Sequence, residues 1–410
     1  MGVVIGVISL TVIGGVISSC RDRGKLEEAV QLAPSPGVIR VRLREQATSA
    51  SAGAAGPYRL LVDGVAVAGS SAPLAAAPLE RRGEYWILGG TSVAGRLLRI
   101  EPTSAGGLVE CDGRPYRGAL VVRPSDAGPD RFDVDNHVGL EAYLAGVLAR
   151  ELPHGWHEEA YKSQAVAART YALYEMRHDG RRRSFDVYAD QRSQVYGGAS
   201  DETAKSLDAV RQTRGQVLVV GTGGADHIFK AYYSSCCGGM TNPADGLEPQ
   251  DEAARPLAGG VPCTDCARSA RYRWPAVNVS KADVYQALAR CYTQVALLGG
   301  LREIRVRNAT GWGRAELIEL VSPDGRTSRI RADDLRLALL RFGPPGAREL
   351  YSMNCTIRDS GDGLVFENGR GFGHGVGLCQ YGAQGKALRG MRYHEILYAY
   401  YPGARIAQMQ

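Results

Sequence analysis

Beyond its first twenty residues, the 410-residue chain has no second apolar run of membrane-spanning length. It has no internal repeat and no large excess of charge of either sign. Lys and Arg number 49 against 43 Asp and Glu, a formal net charge of +6. So small a basic excess suits an anionic partner without demanding one. Helix-turn-helix patterning, zinc-finger spacing ending in paired histidines and aromatic-rich RNA motifs are all missing, so nucleic acid is not an expected partner. The one basic run, Arg181-Arg182-Arg183, reads as a solvated loop. With 44% hydrophobic and 22% charged residues, the composition excludes a disordered or fibrous chain. The length suffices for at least one sizeable core and predicts two lobes.

Met1 to Ile17 is apolar, rich in Val, Ile and Gly, and has no basic residue ahead of it. It is shorter than a membrane span and closer to a signal h-region. The stretch ends in Ile17-Ser18-Ser19-Cys20, which resembles the lipobox of bacterial lipoproteins, where the cysteine becomes the acylated new N-terminus. The other reading of residues 1–20 is an uncleaved membrane anchor. Either one holds the chain at a membrane and puts the remainder outside the cytoplasm.

Residues 21–36 read as a linker, and 37–135 as a small β-rich lobe of short strands between Gly-, Ser- and Ala-rich turns. Val38 to Leu43 alternates apolar and charged, and Tyr58–Val67, Glu84–Leu88, Leu97–Ile100 and Leu120–Val122 are similar. Residues 136–410 read as a mixed domain, so the fold class is α+β. Leu140, Leu144, Val147, Leu148 and Glu151 recur at helical spacing, and Pro153 stops that helix near Glu151 or Leu152. A second helix is predicted from His157 to Arg177. Strands follow at Gln216–Val220 and His227–Tyr233, and a short helix lies around Gly382–Arg389.

Glu151 ends an apolar stripe at a helix C-terminus, where both burial and the helix dipole disfavour a negative charge. A carboxyl kept neutral in this way is what general-acid attack on a glycosidic oxygen needs. The plainer reading is a glutamate that reaches solvent or pairs with Lys162 or Arg169.

Five blocks in order between Phe132 and Ile406 resemble the stage II sporulation protein D family. They are Leu140 to Val147 with Glu151-Leu152-Pro153 and Lys162 to Ala172; Asp190 with Ser193 to Tyr196 and Gly198; Tyr232 to Ser235 with Gly238 to Thr241; Gly371 to Ala383; and Tyr393 to Leu397 with Tyr400-Tyr401-Pro402-Gly403. The resemblance implies a peptidoglycan lytic transglycosylase acting on strands stripped of stem peptides, with 136–410 as the catalytic domain and Glu151 as its acid. Closure of the muramic acid 6-hydroxyl on its own C1 leaves a 1,6-anhydro end, so no second carboxylate is needed, unlike the pairs of most glycosidases. Other family members are described as amidase enhancers. The rival reading is therefore a non-catalytic, wall-bound regulator of an N-acetylmuramoyl-L-alanine amidase.

On this resemblance His374, Gln380 and Tyr381 are expected in the glycan cleft. Gln194 and Tyr196 are expected to line it, with Tyr196 stacking on a sugar face. Lys162 and Arg169 either hold the anionic lactyl group or serve the internal structure, Arg169 more as structure because its fork can tie down several carbonyls. His374, set between glycines, has the alternative of bonding only to backbone. Of nine cysteines, Cys237 with Cys263-Thr264-Asp265-Cys266 has the spacing of a structural zinc half-site, with Cys236 or a histidine as fourth ligand. A disulfide from Cys237 to Cys263 or Cys266 is the alternative. Cys111, Cys291, Cys355 and Cys379 read as buried thiols, although Cys379 stands where the family pattern usually has serine.

Overall fold

The computed structural model describes residues 37–221, 226–244 and 252–409. The segment 1–20 with Cys20, and the linker 21–36, lie outside the described residues. No helix among the described residues is long and apolar enough to cross a membrane. The mixed α+β class holds, with a sheet-rich N-terminal region.

The chain forms two compact units, Met1–Ala231 with Arg405–Gln410, and Tyr232–Ala404. The strand Phe132–Gly139 pairs with Val38–Ala47 and Ala119–Pro124, then runs directly into the first helix. Lobe and helices therefore share one hydrogen-bonded sheet.

In the first unit a seven-stranded sheet runs from Val187–Tyr188 through Val38–Ala47, Phe132–Gly139, Ala119–Pro124, Leu98–Pro102 and Tyr58–Val62 to Val65–Ser70. A six-stranded sheet holds most of the remaining strands of the lobe. Ile39, Val41, Ile100, Phe132 and Val134 are buried, and Ala119 to Val122 is buried at every position, as in a strand covered on both faces. The predicted strand Tyr58–Val67 is a hairpin instead, because Asp63 and Gly64 both take positive φ (50° and 84°) and turn the chain.

Helix α1 (Leu140–Glu151) stops where Pro153 predicts, and α2 (Glu158–Arg177) begins at His157, whose ring accepts the Glu159 N–H. Helix α3 is Ala204–Gln212. The strand Gln216–Val220 lies where the sequence puts it and sits between His227–Ile228 and Arg405–Gln408, antiparallel to both. Arg169 joins these pieces. Its Nε and Nη2 donate to the two Glu141 oxygens of α1 at 2.9 and 2.7 Å, and its Nη1 donates to the Gln216 carbonyl at 3.2 Å. Arg169 is fully buried.

The second unit has a core of Val279, Val284, Leu288, Ile318, Leu320, Leu335, Leu339 and Phe366, built by the helices Lys281–Ala289 and Ala332–Phe342 against two three-stranded sheets. Cysteine- and glycine-bearing segments flank that core in sequence.

Arg169→Ala is expected to lower unfolding free energy by about 2 kcal/mol, because the part-exposed Glu141 and the Gln216 carbonyl lose their donor. Arg150→Ala, which removes a part-exposed pair with Asp201, should cost less than about 1 kcal/mol. Urea unfolding checks both; equal midpoints for the two variants would refute the assignment.

Candidate functional site

Glu151 is the last residue of α1 and has no exposed surface. Its carboxylate accepts the Val195 N–H at 3.1 Å. The sequence places this residue inward, and the structure agrees; the solvent-reaching alternative does not hold.

The chain that presents Val195 is held by its neighbours. The Gln194 side chain accepts the Tyr143 hydroxyl at 3.0 Å and donates to the Ala168 carbonyl at 3.3 Å. Upstream, Asp186 accepts from the Arg40 guanidinium at 2.6 Å, and the Arg42 guanidinium donates to Ser184 at 2.9 Å. On the other side of Glu151, the Tyr161 hydroxyl of α2 donates to the carbonyls of Leu152 and Pro153 at 3.1 and 3.2 Å. Two helices and one loop thus fix both neighbours of the carboxyl.

Several residues expected to line a cleft serve this frame instead. Tyr196 is 5% exposed, its hydroxyl donates to Asn136 at 3.1 Å, and its ring packs on Tyr143 and Tyr116. It leaves no face for a sugar. Gln194 is fully buried for the same reason. Arg169 pairs with Glu141, so it is structural as its fork suggests, and it does not pair with Glu151. Lys162 pairs with Glu159 at 2.7 Å on its own helix. Its charge is met before any ligand arrives.

His374, Gln380 and Tyr381 belong to the second unit. Glycines 371, 373, 375 and 377 all take positive φ, and a Cβ on Gly377 would lie 2.0 Å from the Tyr232 carbonyl oxygen. Only glycine fits there. His374 is buried. Its Nδ1 accepts the Val376 N–H at 3.0 Å, which puts the proton on Nε2, donating to the Tyr233 carbonyl at 3.0 Å. The histidine's hydrogen bonds brace the loop through backbone, and its ring packs edge-on against Tyr232. Arg314, which the sequence reading passed over, is also buried and donates to the Gly373 carbonyl at 3.1 Å. Gln380 is buried at the start of the helix Gln380–Leu388, and the half-buried Tyr381 donates its N–H to the Ser235 carbonyl.

Four buried thiols, Cys237, Cys263, Cys266 and Cys379, have sulfurs within 4.8 Å of one another. A tetrahedron of 2.3 Å metal–sulfur bonds has edges of about 3.8 Å; the Cys237 and Cys266 sulfurs are 3.7 Å apart. The donor set fits a thiophilic tetrahedral ion. The fourth thiol of the cluster is Cys379 and not Cys236, whose thiol lies 3.8 Å from the Cys266 carbonyl. The departure from serine at position 379 was the signal that could have found it. All eight described cysteines are free thiols, so neither alternative disulfide is formed.

Residues 129–220 match the family described as Stage II sporulation protein (SpoIID). The chain is 31% identical to an uncharacterized protein of Brachyspira hyodysenteriae over 296 residues, covering 72% of this chain and 73% of that one. It is 28% identical to the stage II sporulation protein D of Bacillus subtilis over 310 residues, 71% of this chain and 82% of the relative. It is also similar to the Bacillus subtilis amidase enhancer, at 27% over 350 residues, 76% of this chain but 47% of that protein.

Burial holds the His374 imidazole down to about 4, against an ordinary value of 6.5. A depressed pKa contributes stability above the unfolded value and loses it as pH falls through the folded one. His374 should therefore cost the fold nothing above pH 6.5 and up to roughly 3 kcal/mol by pH 4. His374→Gln is expected to flatten the stability profile between pH 6.5 and 4 relative to the wild type. Parallel profiles from urea unfolding at each pH would count against it.

Proposed function

The chain belongs to the stage II sporulation protein D family, and from that membership we propose that it works outside the cytoplasm on the cell wall as a lytic transglycosylase of stem-free glycan strands. The observation that carries the proposal is the Glu151 carboxyl, buried at a helix end within the Glu-Leu-Pro block and pinned by one backbone N–H. Glu151 would give its proton to the oxygen bridging N-acetylmuramic acid and N-acetylglucosamine as the bond to C1 breaks. The muramic acid 6-hydroxyl oxygen would bond to the same C1, and its proton would return to Glu151. No water is consumed, and one carboxyl acts first as acid and then as base. The same burial, together with the relative called an amidase enhancer, supports a second reading: a wall-bound regulator in which Glu151 is a packing residue.

We further propose that Cys237, Cys263, Cys266 and Cys379 hold a zinc ion. A site with four protein ligands has no open position, so the ion would tie these segments together and take no part in bond cleavage. Cys379→Ser should lose the metal and Cys236→Ser should keep it, as read by bound zinc per chain. Chelation should lower the melting temperature. Zinc-free protein with all thiols reduced would end the zinc assignment.

Glu151→Gln keeps the shape of the side chain but has no proton to deliver, so release of 1,6-anhydro-muramyl ends should fall by roughly 10²–10⁴-fold with strand binding retained. Glu158→Gln, on the exposed first turn of α2, should change little. Wild-type rates from Glu151→Gln would remove the catalytic role. A wild type that releases nothing yet stimulates an added amidase would establish the regulator instead.

A further inference from the structure

Gln164 lies in the middle of α2 and is 1% exposed, yet neither its Nε2 nor its Oε1 has a hydrogen-bond partner among the described residues. A buried amide with both ends unmade is rare and costly, because the group has given up water and gained nothing in return. A side chain serving only the fold would be better as a hydrocarbon of the same length.

The contacts on either side of Gln164 bring its stretch of α2 against the segments that flank Glu151. Residues three and four apart on a helix share a face. One turn before Gln164, Tyr161 touches the carbonyl of Leu152, which follows Glu151. One turn after it, the Ala168 carbonyl holds Gln194, which precedes the Val195 that bonds Glu151. Both flanks of the Gln164 stretch are therefore occupied by the chain neighbours of Glu151 and of Val195, whose N–H bonds it.

We propose that Gln164 is a positioning residue that acts through Glu151, holding its amide in reserve for the charge that appears there during turnover. This rests on the reading of Glu151 as the acid. When the proton leaves, a carboxylate forms in a dry environment, and the uncommitted Gln164 Nε2–H would serve as its donor. When the proton returns, the amide oxygen is an acceptor for the acid O–H. One amide serves both states, which a hydrocarbon would not do.

The test uses the full chain and three variants: Gln164→Met, Glu151→Gln and the two combined, assayed for kcat and KM on stem-free strands and for melting temperature. Gln164→Met should lower kcat by roughly 10- to 100-fold, the worth of one hydrogen bond to a charged group, with KM within about twofold and a melting temperature equal to or above wild type. The double variant should be no slower than Glu151→Gln, since the second change has nothing left to act through. A fall in melting temperature that accounts for the lost activity, an unchanged kcat, or additive losses in the double variant would each overturn the proposal while leaving Glu151 as the acid. Glu151→Gln at the wild-type rate would remove the reading on which both rest.

Discussion

The ion pair between Arg169 and Glu141 is the constraint on which the Glu151 neighbourhood depends. It binds α2 to the first turn of α1 at one end, while Tyr161 binds α2 to the residues just past α1 at the other. The helix that carries Glu151 is thus clamped to its partner at both termini, and its last residue has no freedom to swing outward. A third bond from Arg169, to Gln216, sets the strand Gln216–Val220 against the same pair of helices. An arginine suits this position because its planar fork meets a carboxylate with two donors and still has another for a carbonyl. A lysine's charge sits at one point and would not span both the Glu141 carboxylate fork and the Gln216 carbonyl.

What could be read from the sequence follows from how local the cause is. The stop of α1, the start of α2 and the strand at Gln216 are each dictated within a few residues by periodicity and by Pro153. Glu151 was legible for the same reason, since an apolar stripe says which way its last member points. Roles fixed by distant partners were not legible. Nothing near Tyr196 announces Asn136, sixty residues earlier, as the acceptor that turns its hydroxyl inward. Gly377 needs Tyr232 to explain it, and Cys379 finds its three sulfur neighbours more than a hundred residues upstream. Polar residues in a shared motif were read as ligand contacts because the frame they brace exists only once the chain has folded. The hairpin at Asp63-Gly64, by contrast, has a local cause in the positive φ of those two residues.

Polar side chains in the two units are spent differently. In the first, they join elements to one another, as Arg40, Arg42 and Arg169 do. In the second, Arg314 holds the glycine loop from outside through the Gly373 carbonyl, and His374 within the loop ties it to the Val376 amide and the Tyr233 carbonyl. A loop so rich in positive φ has many conformations to lose on folding, and buried donors and acceptors are what select one of them.

The strand Arg405–Gln408 pairs with Gln216–Val220, although residues 232–404 form the other unit between them. During synthesis at roughly 5–20 residues per second, the earlier strand waits about 10–40 s for its second neighbour. Throughout that interval one edge of Gln216–Val220, whose valines and leucine are buried in the finished protein, is open to pairing with another chain. The hazard ends only with the arrival of Arg405–Gln408. Production at high level should therefore be limited by what keeps nascent chains apart before those residues emerge, and less by how stable the completed fold is.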